Sequence, residues 1–99
     1  MRNFRTFTQA NKFYQQSKTI KLTGDARNQL DRAARSIALN LAEGRGKATR
    51  KDQLRFFHIA MGSLRECQAI FMLENITNHQ AFKTLDILAA HLYRLIQRA

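Results

Sequence analysis

Apolar residues recur at three- and four-residue steps in four segments of the chain, which is the spacing of helices with one buried face. The absence of proline and the presence of only four glycines favour long helices over strands and turns. The predicted helices cover approximately residues 3–19, 25–43, 50–73 and a last segment that follows residue 77. Because short connections make successive helices antiparallel neighbours, the pattern predicts an all-α fold. We expect one domain, residues 1–99, folded as an antiparallel up-down-up-down four-helix bundle.

Local residue types predict where these helices begin and end. Gly44 suits the left-handed C′ position that would end the second helix. Aspartate is a favoured N-cap, and Ser or Thr followed three residues later by a carboxylate or amide indicates a capping box. The candidate starts of helices two, three and four are Asp25, Thr49 with Asp52, and Thr77 with Gln80.

The second and third helices are predicted to pair in a definite register. Their turn centres near residue 49, so facing residues should have numbers that sum to about 98. Gly62, which costs about 1 kcal/mol relative to alanine inside a helix, would then allow close approach to Ser36. The same register predicts two ion pairs, which could instead lie at the surface and contribute little. These pairs are Glu43 with Arg55 and Arg32 with Glu66.

Positive charge is abundant and unevenly distributed. The chain has 17 Lys and Arg residues against 7 Asp and Glu, a formal net charge of +10. Residues 1–55 carry a net charge of +9 and residues 56–99 only +1. Such clustering is typical of a protein that binds a polyanion. The alternative is a solvated basic surface that serves solubility.

Two groups of cations are the candidate nucleic-acid contacts. One surrounds the turn between helices two and three, and Asp52 is the carboxylate within it. Arg50 and Lys51 fall in the first turn of a helix, where the helix dipole disfavours cations but favours an anion. The other group lies on helix one. The predicted nucleic-acid-binding residues are Arg45, Lys47, Arg50, Lys51, Arg2, Arg5, Lys12 and Lys18.

Residues that could perform catalysis or bind a metal do not converge in the sequence. His58, His79 and His91 fall on different elements without metal-ligand spacing, so no metal or cofactor is expected. Cys67 lies on the apolar stripe of helix three and is interpreted as a core residue. The Gly44–Lys47 segment lacks the strand and the motif of a phosphate loop. We therefore expect a protein that is not an enzyme.

The location expected from the sequence is the cytoplasm. No run of about 18 apolar residues is present, so no membrane span is expected. The beginning of the chain lacks the apolar core of a signal peptide. A single cysteine fits a reducing compartment.

Four runs in the middle of the chain carry a family resemblance, namely Gln29–Ile37, Asn40–Gly44, Arg55–Phe57 and Ile59–Glu66. This region resembles the four-helix-bundle proteins encoded within intervening sequences of bacterial large-subunit (23S) ribosomal RNA genes. The resemblance implies an antiparallel four-helix bundle. It marks, as positions of the family pattern, Arg32, Asn40, Glu43, Arg55, Ser63 and Glu66.

The resemblance also implies partners. The family is similar to the accessory variability determinant of diversity-generating retroelements, a bundle that forms a homopentamer and binds nucleic acid and a reverse transcriptase. The first hypothesis is therefore a homo-oligomeric, pentameric protein that binds RNA or DNA backbone and is associated with ribosomal RNA intervening sequences or a retroelement. The alternative is a homo-oligomeric scaffold that docks an acidic protein partner such as a reverse transcriptase.

Overall fold

The structure is a computed structural model that describes residues 4–98. Each helix packs against its neighbours in sequence, and the first also packs against the fourth, which closes a ring. The bundle measures 40 × 21 × 18 Å. This arrangement confirms the predicted all-α four-helix fold. The helices are α1 (Phe4–Ser17), α2 (Gly24–Arg45), α3 (Arg50–Leu73) and α4 (Gln80–Gln97).

The core is built from the apolar stripes of all four helices. Three phenylalanines, Phe13, Phe57 and Phe71, are its largest fully buried side chains. The ring centroids of Phe13 and Phe71 lie 5.9 Å apart, which joins α1 to α3 across the bundle. Cys67 is fully buried among them, as predicted. Burial, with a smaller contribution from the charge of Glu66, raises the pKa of the Cys67 thiol to about 12.

One of the predicted N-caps is confirmed and two are wrong. Thr49 accepts a hydrogen bond from the backbone N–H of Asp52 at 3.1 Å. The N-cap of α2 is Thr23 rather than Asp25, and its side chain makes no capping bond. Because the N-cap of α2 lies two residues before the predicted one, Asp25 falls within the first turn of the helix, where a carboxylate complements the helix dipole.

The start of α4 is displaced because α3 ends in a tight turn. Asn75 adopts a left-handed φ of 57°, and the N–H of Ile76 bonds to the carbonyl of Phe71 at 2.8 Å. This is a Schellman motif, and it tucks Ile76 against the core. The chain becomes helical only after His79, whose Nδ1 accepts the N–H of Ala81 at 3.0 Å. The capping box predicted at Thr77 and Gln80 is therefore wrong.

The register of the α2–α3 hairpin is close to the predicted one, but a different glycine permits the close approach. The Oγ of Ser63 donates to the Oγ of Ser36 at 2.8 Å, so the facing numbers sum to 99. A Cβ on Gly44 would lie 2.8 Å from Cε1 of Phe57, whereas a Cβ on Gly62 would meet nothing within 4 Å. Gly44 is thus a buried helical residue, not a left-handed cap, and α2 continues to Arg45.

Neither predicted interhelical ion pair forms. Glu43 pairs with Lys47 on its own side of the hairpin, with Oε2 and Nζ 3.3 Å apart. The guanidinium of Arg55 lies over the ring of Phe56 instead. Arg32 and Glu66 are both exposed, and neither takes part in an ion pair within residues 4–98. The register places Arg32 and Glu66 at the same level along the bundle axis. Their angular positions around the two helix axes, however, direct both side chains outward.

Candidate nucleic-acid interface

The up-down-up-down topology gathers cations from all four helices at one end of the bundle. The first two turns of α1 and α3, the last two turns of α2 and α4 and the connector 46–49 meet there. Among the described residues this end carries eight cations and two carboxylates, Glu43 and Asp52. The rest of the described chain has eight cations and five carboxylates. We call this end the basic pole and define it by Arg5, Arg45, Lys47, Arg50, Lys51, Arg55, Arg94 and Arg98.

Three of these cations are missing from the predicted nucleic-acid-binding residues. Arg55 was predicted to pair with Glu43 instead, and Arg94 and Arg98 were not predicted at all. Arg94 and Arg98 lie more than forty positions after the connector 46–49, so no local sequence motif links them to it. The predicted up-down-up-down topology is enough to identify both residues. It places the last turn of helix four at the same end of the bundle as the turn between helices two and three. Arg2, which was predicted to contact nucleic acid, lies outside the described residues.

Arg50 has a structural role at the basic pole. Its Nη2 donates to the carbonyls of Leu95 at 2.8 Å and Ile96 at 3.0 Å, and also to that of Arg98. These acceptors belong to the end of α4, where the helix dipole favours a cation. The apparent conflict between Arg50 and its own helix dipole is therefore resolved by the neighbouring antiparallel helix.

Lys47 and Arg55 flank a half-buried aromatic ring. The Nζ of Lys47 lies 5.1 Å from the centroid of Phe56, and the Cζ of Arg55 lies 5.7 Å from it. Each cation can move off the ring to meet a phosphate, because both side chains are long and reach the surface. Lys51 is exposed and Arg45 is half-buried. The loop cations thus form a positively charged surface around the start of α3.

A second part of the basic pole lies between α1 and α4. Burial of the ring lowers the pKa of His91, and the positive charges of Arg94 and Arg5 lower it further. Arg5 of α1 and Arg94 of α4 therefore both lie close enough to His91 for their charges to act on its ring.

Lys12 and Lys18 lie away from the basic pole. Lys12 lines a groove between α1 and α4 together with His79 and Lys83, which belong to the start of α4. The Nζ of Lys18 lies 4.4 Å above the ring of Tyr14. Helix one therefore does not present a single basic face, since Arg5 and Lys12 face α4 while Lys18 sits on Tyr14.

Residues that could hold a metal do not assemble in the part of the chain that the structure describes. No group of three or more His, Cys, Asp or Glu side chains is placed to bind an ion there. Within the same residues, no helix combines the length and the apolarity needed to cross a membrane.

A family model described as 23S rRNA-intervening sequence protein matches residues 4–98. The match includes α1 and α4, which lie outside the four runs that carry the resemblance in sequence. No curated protein matches the chain.

Proposed function

The chain belongs to the 23S rRNA-intervening sequence protein family, and we propose that it binds the phosphate backbone of nucleic acid through the basic pole. The observation that carries the proposal is the charge of this pole, where eight cations meet two carboxylates. Phosphate contacts would come from Lys47, Lys51, Arg55 and Arg94, with Arg5 and Arg45 beside them. Arg50 would support these contacts by holding the end of α4 against α3.

Binding of this kind has a recognisable salt dependence. Lysine and arginine displace condensed counterions from the backbone, so affinity falls linearly on logarithmic axes as salt rises. Each neutralised phosphate contributes a slope of about −0.9 for duplex DNA and about −0.7 for single strands. Contacts made by charge alone carry little sequence preference. RNA and DNA should therefore both bind, and binding should weaken steeply with salt.

A fluorescence-anisotropy titration tests the proposal. Wild-type protein is titrated into labelled structured RNA and duplex DNA at several salt concentrations, and the titration is repeated with Lys51→Glu. The matched control is Lys83→Glu, the same charge reversal at an exposed lysine of the opposite end. We expect Lys51→Glu to weaken binding about tenfold or more and the control to change it little. Absence of wild-type binding, or equal losses in both variants, would contradict the proposal.

The proposed function is not enzymatic. The three histidines have separate environments: His58 is exposed on α3, His79 caps α4 and His91 lies on the last part of α4. Prolonged incubation of the protein with RNA and Mg²⁺ should therefore leave the RNA intact. Cleavage that persists in independently purified protein would replace the binding role with a nuclease.

Exposed apolar side chains favour a second role, that of a homo-oligomeric scaffold. Met72 and Leu73 are each 78% exposed, and Tyr93 is 57% exposed. We propose that such surfaces join copies of the chain, with a pentamer as the assembly that the family resemblance implies. An acidic protein partner, such as a reverse transcriptase, could then dock on the basic poles. Light scattering determines the number of copies, and a monomer at micromolar concentration would contradict this role.

A further inference from the structure

A surface groove on the α1–α2 side of the bundle lies outside the basic pole. It encloses about 480 Å³ and is lined by one face of α2 together with Tyr14 of α1. This volume falls in the range of small-ligand pockets. Among its lining residues are two arginines, Arg32 and Arg35, and the amide of Asn28. The groove therefore combines an aromatic ring, positive charge and hydrogen-bonding groups.

The two arginines have no counter-charge in the described chain. Both are exposed, lie three residues apart on α2 and make no hydrogen bond or ion pair within residues 4–98. The carboxylate in the groove, Asp31, is already bound by Arg27, whose Nη2 and Nε donate to it at 2.7 and 3.2 Å. Because Arg27 already pairs with Asp31, Arg32 and Arg35 remain available to an external anion.

The ring of Tyr14 already attracts a cation. It is half-buried and packs against the core, and the Nζ of Lys18 lies 4.4 Å from its centroid. A nucleic-acid base can replace an ammonium group on such a ring, because bases stack on aromatic faces regardless of sequence. Lys18 would then move toward the backbone of the bound strand.

We propose that this groove binds an unpaired nucleotide, with its base stacked on Tyr14 and the adjoining phosphates held by Arg32 and Arg35. The inference rests on the proposed function and adds a preference to it. The bases of a duplex are stacked inside the helix and cannot reach the ring, so the groove selects single-stranded or bulged nucleic acid. Arg35 precedes Arg45 by ten residues, about 15 Å along α2. One strand can therefore contact both the basic pole and the groove.

Tyrosine fluorescence reports directly on this stacking. The chain has two tyrosines and no tryptophan, so Tyr93→Phe leaves Tyr14 as the one emitting residue. We expect a short single-stranded oligonucleotide to quench the emission of this variant, and the same strand annealed to its complement to leave it unchanged. The control is Tyr14→Phe, in which Tyr93 reports from beside Arg94 of the basic pole and should respond alike to the single strand and to the duplex. Equal responses of Tyr14 to the single strand and to the duplex would overturn the inference.

Affinity measurements separate stacking from charge. Tyr14→Leu should weaken single-strand binding about tenfold, since one stacked base is lost, whereas Tyr14→Phe keeps the ring and should retain it. Arg32→Gln combined with Arg35→Gln should weaken single-strand binding and leave duplex binding unchanged. The matched control is Arg65→Gln, at an exposed arginine of α3. Wild-type affinity in Tyr14→Leu would overturn the inference.

The two proposals fail in different ways. If wild-type protein binds no nucleic acid, the proposed function and the groove are both refuted. If it binds and Lys51→Glu weakens the binding, but neither Tyr14 nor the arginine pair affects single strands, the groove alone is refuted.

Discussion

Each end of the bundle has one arginine that donates hydrogen bonds to the carbonyls at the end of a neighbouring helix. At the end opposite the basic pole, Arg27 of α2 donates to the carbonyls of Ile20 at 2.7 Å and Ser17 at 2.9 Å, where α1 ends. At the basic pole, Arg50 of α3 donates to the carbonyls at the end of α4. In each case a cation near the start of one helix satisfies the carbonyls of its antiparallel neighbour. The bundle therefore uses one cation at each end to satisfy the carbonyls of a neighbouring helix.

The ends differ in all their other charges. The opposite end is nearly balanced, with Asp25, Asp31, Glu74 and Asp86 beside the cations Lys12, Lys18, Lys21, Arg27 and Lys83. The basic pole has eight cations and two carboxylates among the described residues. Since the opposite end folds with balanced charge, the bundle does not need an excess of positive charge to form. The excess at the basic pole is the basis of the proposed binding of an anionic ligand, and four variants or sets of variants distinguish the two ends.

The largest expected effect is on binding. Lys51→Glu combined with Arg94→Glu should lower the affinity for RNA about 100-fold at low salt, because two phosphate attractions become repulsions. The control double variant reverses Lys21 and Lys83 at the opposite end and should retain most of the affinity. All four side chains are exposed, so thermal unfolding should show similar stability in both proteins. Similar losses of affinity in the two double variants would contradict binding at the basic pole.

The next effect concerns packing at the basic pole. Gly44→Ala should lower the free energy of unfolding by about 1–3 kcal/mol, because the new Cβ would press on Phe57. Gly62→Ala is the matched control on the facing helix, with open space around its Cβ. It should raise the free energy of unfolding by about 1 kcal/mol, since alanine stabilises a helix interior. Urea denaturation measures both, and equal changes would contradict the packing described for Gly44.

The arginine pair gives a smaller effect that distinguishes support from ligand contact. Arg50→Met and Arg27→Met should each lower the free energy of unfolding by about 1–2 kcal/mol, because helix-end carbonyls lose their donor. At a temperature where Arg50→Met is fully folded, its affinity for RNA should fall no more than a few-fold. Loss of binding without loss of stability would make Arg50 a phosphate ligand, as the sequence alone predicted.

The smallest effect is a pH dependence at the basic pole. Because the pKa of His91 is lowered in the folded protein, the unfolded chain binds more protons as the pH falls through the usual histidine range near 6.5. Folding stability should therefore decline between about pH 7 and pH 5. In His91→Gln this decline should be shallower when urea denaturation is compared at the two pH values. An unchanged decline would show that His91 contributes nothing to it.

The fold could be predicted from sequence because its signals are local. Helical periodicity identified all four helices, and the turn near residue 49 predicted a register within one residue of the Ser36–Ser63 contact. The helix ends were harder, since the left-handed turn at Asn75 moved the start of α4. Gly44 and Gly62 could not be distinguished because rotation about the helix axis decides which one faces the partner helix.

The candidate site was only partly predictable. The loop cations are adjacent in sequence and were found, whereas Arg94 and Arg98 join them only through the closure of the ring. Arg50 was predicted to contact phosphate. The carbonyls that it binds lie 45 and 46 residues away in sequence, so no local pattern indicated its structural role. Arg32 was assigned to an ion pair because its height matched that of Glu66, while its outward direction depends on helix phase.

Mapping of amide chemical shifts by NMR during titration with RNA locates the binding surface residue by residue. The largest perturbations should fall in residues 45–55 and 94–98, at the basic pole. A single-stranded ligand should in addition perturb the α2 residues of the groove around Arg32. Perturbations concentrated in residues 18–27 and 74–83, at the balanced end, would contradict the account.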